Sequence, residues 1–174
     1  MTNKYMYFIA NWKMFGGLKS LNSLNKVIKF SKSKEIKKGR LIYCPPYTLL
    51  RSFFKKFENC LIDIGAQNCH ESDGYGSHTG FVNSRMLKNI GANYVIIGHS
   101  ENRMKGENDK LINIKIKSAI KAKLKVILCI GETSAEKKRG KTKSILSNQI
   151  RMGLYKINKQ SNIFIAYEPV WSIG

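Results

Sequence analysis

Tyr5-Met6-Tyr7-Phe8-Ile9-Ala10-Asn11-Trp12-Lys13 decides the architecture. The apolar run Tyr5 to Ala10 reads as a strand, and it passes directly into Asn11-Trp12-Lys13. A dinucleotide-binding sheet would carry a GxGxxG turn at this point, and none is present. Further short apolar runs follow at Leu41 to Cys44, Leu61 to Ala66, Tyr94 to Gly98, Val126 to Ile130 and Ile163 to Tyr167, giving six strands. Most are continuous rather than alternating, as expected of strands buried on both faces of a parallel sheet.

Segments of helical period separate the strands. Leu18, Leu21, Leu24, Val27 and Ile28 share one helical face, and Leu49, Leu50, Phe53, Phe54 and Phe57 share another. A shorter helix is predicted from about Asn83, a fourth around Leu111, Ile112, Ile116, Ala119 and Ile120, and a fifth from Thr142 to Ile157. No linker or break in composition interrupts residues 1–174, so strand and helix alternate within a single domain. Two layouts fit that alternation, an open doubly wound sheet and a (β/α)8 barrel. Polar residues recur just past the strands: Asn11 and Lys13, Gln67 and Asn68, His99, Glu132, and Glu168. A barrel gathers side chains from several strands at that one end, so the barrel is the expected α/β fold, here with six parallel strands and five helices.

Bulk composition bounds the function. A hydrophobic content of 43% supports a sizeable core, and no apolar run approaches the roughly 18 residues of a membrane span. Cys44, Cys60, Cys69 and Cys129 form no CxxC pair, and His70, His78 and His99 show no HExxH spacing, so no metal site is expected. Free thiols in a chain without an export signal fit a reducing cytoplasm. The net charge of +20 raises the possibility of a nucleic-acid partner, but the cations are mostly lysines spread along the chain. Its dense runs are Lys32 to Arg40, Lys115 to Lys125 and Lys137 to Lys143. Lys117 and Lys121 lie one helical turn apart, each preceded by an isoleucine, and the expected reading is a solvated helix face. Such a charge also concentrates anionic substrates, an effect that salt screens.

The chemistry rests on three residues. Lys13 alone reads as a surface lysine, and His99 alone as a core histidine. If a short helix begins at Ser100, its N-terminal dipole disfavours the imidazolium and leaves a neutral ring able to donate a proton to a carbonyl oxygen. Glu168 ends the last strand, where partial desolvation makes a carboxylate a better base. A base, an electrophile and a cation at the same end of three strands are the set that moves a proton beside a carbonyl and holds the resulting enediolate.

Five stretches, in order along the chain, resemble triosephosphate isomerases: Ala10 to Met14; Gly65-Ala66-Gln67-Asn68 with Thr79-Gly80; Val95 to Arg103; Cys129 to Thr133; and Ala166 to Trp171. The resemblance implies interconversion of dihydroxyacetone phosphate and D-glyceraldehyde 3-phosphate, in glycolysis and gluconeogenesis, without a cofactor. It implies Glu168 as the proton-shuttling base, His99 as the neutral electrophile, and Lys13 as the cation that binds substrate beside Asn11. Glu101 is expected to orient Lys13, and Ser100 to contact Glu168 in the open state. Thr79 is expected to enter the neighbouring subunit's site in a homodimer. Residues 168 to 174 match the front half of a closing lid, where the Gly174 N–H meets the substrate phosphate.

Some positions depart from the family pattern. Phe81 stands where glutamate is usual and Asn102 where arginine is usual. These partners normally pair near the dimer contact, and changing both avoids an uncompensated buried charge costing about 3 to 5 kcal/mol. Ser172 stands in place of an alanine. A full barrel takes about 250 residues, so two further strands and the glycine-rich phosphate loops are expected to be missing from these 174. Two unpaired edges are then expected, with a tendency to aggregate and no competent turnover by the 174 residues alone. The alternatives are a truncated inactive fragment and, more remotely, a basic nucleic-acid-binding module.

Overall fold

The computed structural model describes residues 5–33, 38–158 and 162–172. Its strands are β1 (Met6–Asn11), β2 (Gly39–Cys44), β3 (Ile62–Ala66), β4 (Tyr94–Ile97), β5 (Lys125–Ile130) and β6 (Ile163–Tyr167). All pair in parallel and in sequence order, β1-β2-β3-β4-β5-β6. Each predicted strand is present, its ends shifted by at most two residues.

Both faces of the sheet are covered, which explains the continuous apolar runs. Outside, the larger core packs Leu41, Ile64, Val95, Ile97, Val126 and Leu128 of the strands under Leu50, Phe53, Leu87, Ile112, Ile116 and Ala119 of the helices. Inside, Ile42, Cys44, Tyr94, Ile96, Ile127 and Cys129 form a second cluster, joined by Tyr7 of β1 and Phe164 of β6. The Tyr7 and Phe164 rings lie 4.7 Å apart, so the sheet curls until side chains of its two outermost strands touch. This is the curvature of a barrel wall. Yet β1 and β6 each pair on one side only, and Phe8 remains 50% and Ile165 45% exposed.

The helices are α1 (Asn25–Ser31), α2 (Leu50–Lys56), α3 (Ser84–Asn89), α4 (Ser100–Met104), α5 (Asp109–Lys121), α6 (Ser134–Lys138) and α7 (Thr142–Gly153). The expected count of five is corrected to seven among the described residues. The additional pair, α4 and α6, are single turns too short to show apolar periodicity, and their starts are set by capping. Thr133 and Glu136 cap α6 reciprocally, and the His99 side chain caps α4. The first two predicted helices open as 3-10 turns, Leu18–Leu24 and Tyr47–Leu49, before becoming α-helical. Asn83 and Asn108 cap α3 and α5 through their side-chain oxygens. No helix among the described residues is long and apolar enough to cross a membrane.

A second correction concerns Lys115. The run from Lys115 to Lys125 is expected as a solvated helix face, and Lys117 and Lys121 are exposed, but Lys115 at its head is buried. It lies three residues after Ile112 and four before Ala119, within the inward stripe of α5.

Candidate active site

Lys13, His99 and Glu168 follow β1, β4 and β6 at the same end of the sheet. Lys13 has a backbone φ of +50°, a left-handed conformation unusual for a side-chain-bearing residue. It is held on both sides. The Lys13 N–H donates to Asn11 Oδ1 at 2.9 Å, and the Gln67 amide nitrogen donates to the Lys13 carbonyl at 2.7 Å and to the Cys44 carbonyl at 2.8 Å. Gln67, at the end of β3, thus ties together the ends of β1 and β2. Its role as a clamp was missed because the sequence placed it among the polar strand ends without a partner. The Lys13 ammonium lies 3.0 Å from Glu101 Oε1.

His99 is buried. The Glu101 N–H points at its Nδ1 at 3.2 Å, so hydrogen bonding assigns the ring proton to Nε2. That nitrogen faces Glu168 Oε2 at 3.4 Å. Gly98, at φ +76°, supplies the turn that swings His99 out of β4, and the Arg103 guanidinium steadies it by donating to the Gly98 carbonyl at 2.8 Å.

Glu168 continues from β6 with its N–H on the Ile130 carbonyl at 2.8 Å. Its Oε2 is buried and has no hydrogen-bond partner among the described residues, leaving an oxygen free to accept a proton. Burial, reinforced by the Glu168 charge, pushes the neighbouring Cys129 thiol well above its ordinary range, so that thiol stays protonated. The expected contact between Ser100 and Glu168 is not made as a hydrogen bond. The Glu168 carboxylate is turned towards His99 instead, and Ser100 lines a small crevice beneath it.

A cavity of about 380 Å³ opens beside Asn11, Lys13, His99 and Glu101. Glu168 does not line it and reaches the site from the β6 side of His99. Part of the cavity wall is a buried network that sequence reasoning missed. Lys115 is ion-paired with Glu107, Asn68 donates to Glu107 Oε1 at 2.7 Å, and Lys115 donates to Asn68 Oδ1 at 3.2 Å. The position of Lys115 in an apolar stripe was the available signal. Glu132, expected at the mouth, is buried and takes hydrogen bonds from the Tyr167 hydroxyl, Thr142 and the Trp171 indole. Thr79 is exposed on the loop before α3. Gly174 lies outside the described residues.

The family model described as triosephosphate isomerase matches residues 6–174. A triosephosphate isomerase of Thermodesulfovibrio yellowstonii is 44% identical over 171 residues, covering 97% of this chain and 68% of that protein. One from a Bradyrhizobium species is 38% identical and covers 100% of this chain and 70% of that protein. The crystal structure of triosephosphate isomerase from Bartonella henselae matches with a TM-score of 0.88 at 38% identity, over 95% of this chain and 68% of that one.

Proposed function

We propose that Glu168, His99 and Lys13 perform in this chain the reaction of the family to which the chain belongs, triosephosphate isomerase: the interconversion of dihydroxyacetone phosphate and D-glyceraldehyde 3-phosphate. Glu168 removes a proton from the carbon beside the carbonyl and returns it to the neighbouring carbon. His99, with its proton on Nε2, donates to the carbonyl oxygen as negative charge builds there. The Lys13 ammonium balances the charge of the enediolate, and Asn11 offers its amide to the same substrate. This division of roles is the family's established one. The observation that carries it here is the approach of Glu168 Oε2, buried and unpartnered, to His99 Nε2 at 3.4 Å.

The test is deuterium incorporation and isomerisation of dihydroxyacetone phosphate in deuterated water, with both rates falling about 1000-fold in Glu168→Gln. An unchanged rate in that variant would sink the assignment. For residues 1–174 alone the expected turnover is low, because β1 and β6 leave apolar side chains open to water. The assay is therefore run on that polypeptide and on any longer product of the same gene.

The assembly belongs to the same reading, as a homodimer in which Thr79 approaches the neighbouring site. Supporting it, Tyr75 and Phe81 on the Thr79 loop, together with Met14, Phe15 and Met104, are exposed large apolar residues. With Phe81 and Asn102 in place of an ion pair, such a contact depends little on salt. We place the protein in the cytoplasm, in line with its free cysteines. The lysine-rich surface is read as a solvated face rather than a nucleic-acid or membrane site.

A further inference from the structure

The segment after β6 is gripped by the loop after β5. Glu168 N–H reaches the Ile130 carbonyl at 2.8 Å, and Val170 N–H reaches the Glu132 carbonyl at 3.1 Å. Between them Gly131 has no side chain to spare: a Cβ there would collide with the Glu168 carbonyl oxygen. The two backbones therefore cross at van der Waals contact, and whatever holds one places the other.

The grip ends on Trp171, three residues beyond Glu168 in a 3-10 turn (Val170–Ser172). Its indole N–H donates to Glu132 Oε1 at 3.1 Å. The ring face is occupied as well, because the Lys137 ammonium sits 3.3 Å from its centroid. An indole held by a carboxylate at its edge and a cation on its face is bound through both poles of its charge distribution. Lys137 belongs to α6, whose start is fixed by the reciprocal cap of Thr133 and Glu136, with Thr133 N–H donating to Glu136 Oε2 at 2.8 Å. The lysine is thus delivered from a short, well-anchored turn rather than a free arm. Trp171 still remains 44% exposed, so apolar burial alone does not seat it.

We propose that Lys137 is a positioning residue for the proposed base: by holding the face of Trp171 against Glu132, it fixes the path of residues 168 to 171 and with it the aim of the Glu168 carboxylate at His99. This rests on the reading of Glu168 as the base, and nothing in it requires Lys137 to touch substrate.

The experiment follows the two tryptophan indole N–H signals of the 15N-labelled protein in Lys137→Met and Lys137→Arg. Trp12, packed edge-on against Phe53 at 4.9 Å, serves as the folding control. In Lys137→Met the Trp171 signal is expected to exchange with solvent about tenfold faster, the order of a lost cation–π contact, while Trp12 is unchanged. In the isomerase assay kcat falls several-fold with KM little altered, and Lys137→Arg restores both readouts. A Trp171 signal unmoved in a folded Lys137→Met protein overturns the proposal, and so does a moved signal with wild-type kcat. Lys137→Gln provides the same comparison if the methionine variant fails to fold. In a sample that turns over no substrate, the His99 ring 15N shifts take the place of kcat, and shifts unmoved in Lys137→Met overturn the proposal. Glu168→Gln separates the premise from the proposal: wild-type kcat there removes Glu168 as base, whatever Trp171 does.

Discussion

His99 and Glu168 face each other across 3.4 Å, yet the strands that deliver them are held in different ways. All four residues of β4 are buried between β3 and β5, whereas β6 pairs with β5 alone and has no fully buried residue. His99 is therefore placed by close packing, which tolerates little movement. Glu168 is placed by a handful of directed contacts: Gly131 beneath its backbone, Glu132 on the following residues, and Lys137 on Trp171. One wall of the site is part of the core, and the other is fastened to it.

The largest effect tests the core wall. Lys115→Met leaves the Glu107 carboxylate buried beside Asn68 without its cation, and urea unfolding is expected to show a loss of about 3 to 5 kcal/mol. Adding Glu107→Leu should recover most of it. If the single variant costs nothing, the network in the cavity wall is not structural. A direct contrast of the two strands comes next. Ile96→Ala, at a position only 3% exposed, is expected to cost about 2 to 5 kcal/mol. Ile165→Ala on β6 is expected to cost under about 1 kcal/mol, and equal losses would abolish the distinction drawn between the strands.

The smallest effect is an acid step on the fastened wall. Burial works against ionisation of Glu132, but hydrogen bonds from Trp171, its own backbone, Tyr167 and Thr142 outweigh it and hold the carboxyl below its usual range. A carboxyl lowered by folding lends stability that is fully present above the unfolded value, about 4.3, and is lost as pH falls through the folded value. Tryptophan emission should therefore hold steady down to about pH 4 and change below it. Glu132→Gln should remove that step, and a step persisting in the variant would place the titrating group elsewhere.

Much of this could be read in advance for a local reason. Each strand announced itself by apolar residues in series, α5 by its apolar period, and α3 by Asn83, whose side chain reaches a backbone N–H three residues on. Lys13, His99 and Glu168 were found because each follows its strand by only a few residues, so that barrel geometry alone brings them to one end. Lys115 escapes such a reading for a different reason. A lysine within a lysine-rich run looks solvated until Asn68 and Glu107, from other parts of the chain, supply its partners.

By itself the sequence determined the six strands, five of the seven described helices, their order and the chemistry available at the strand ends, since these depend on residues close together along the chain. Only the tertiary structure decided how the groups are aimed. The left-handed backbone of Lys13 is held by Gln67, 54 residues away, and Lys115 in the cavity wall meets Asn68 across 47. Trp171 is fastened to Glu132 across 39. Contacts of that span form only when the sheet has curled and its helices have packed, so no local pattern encodes them.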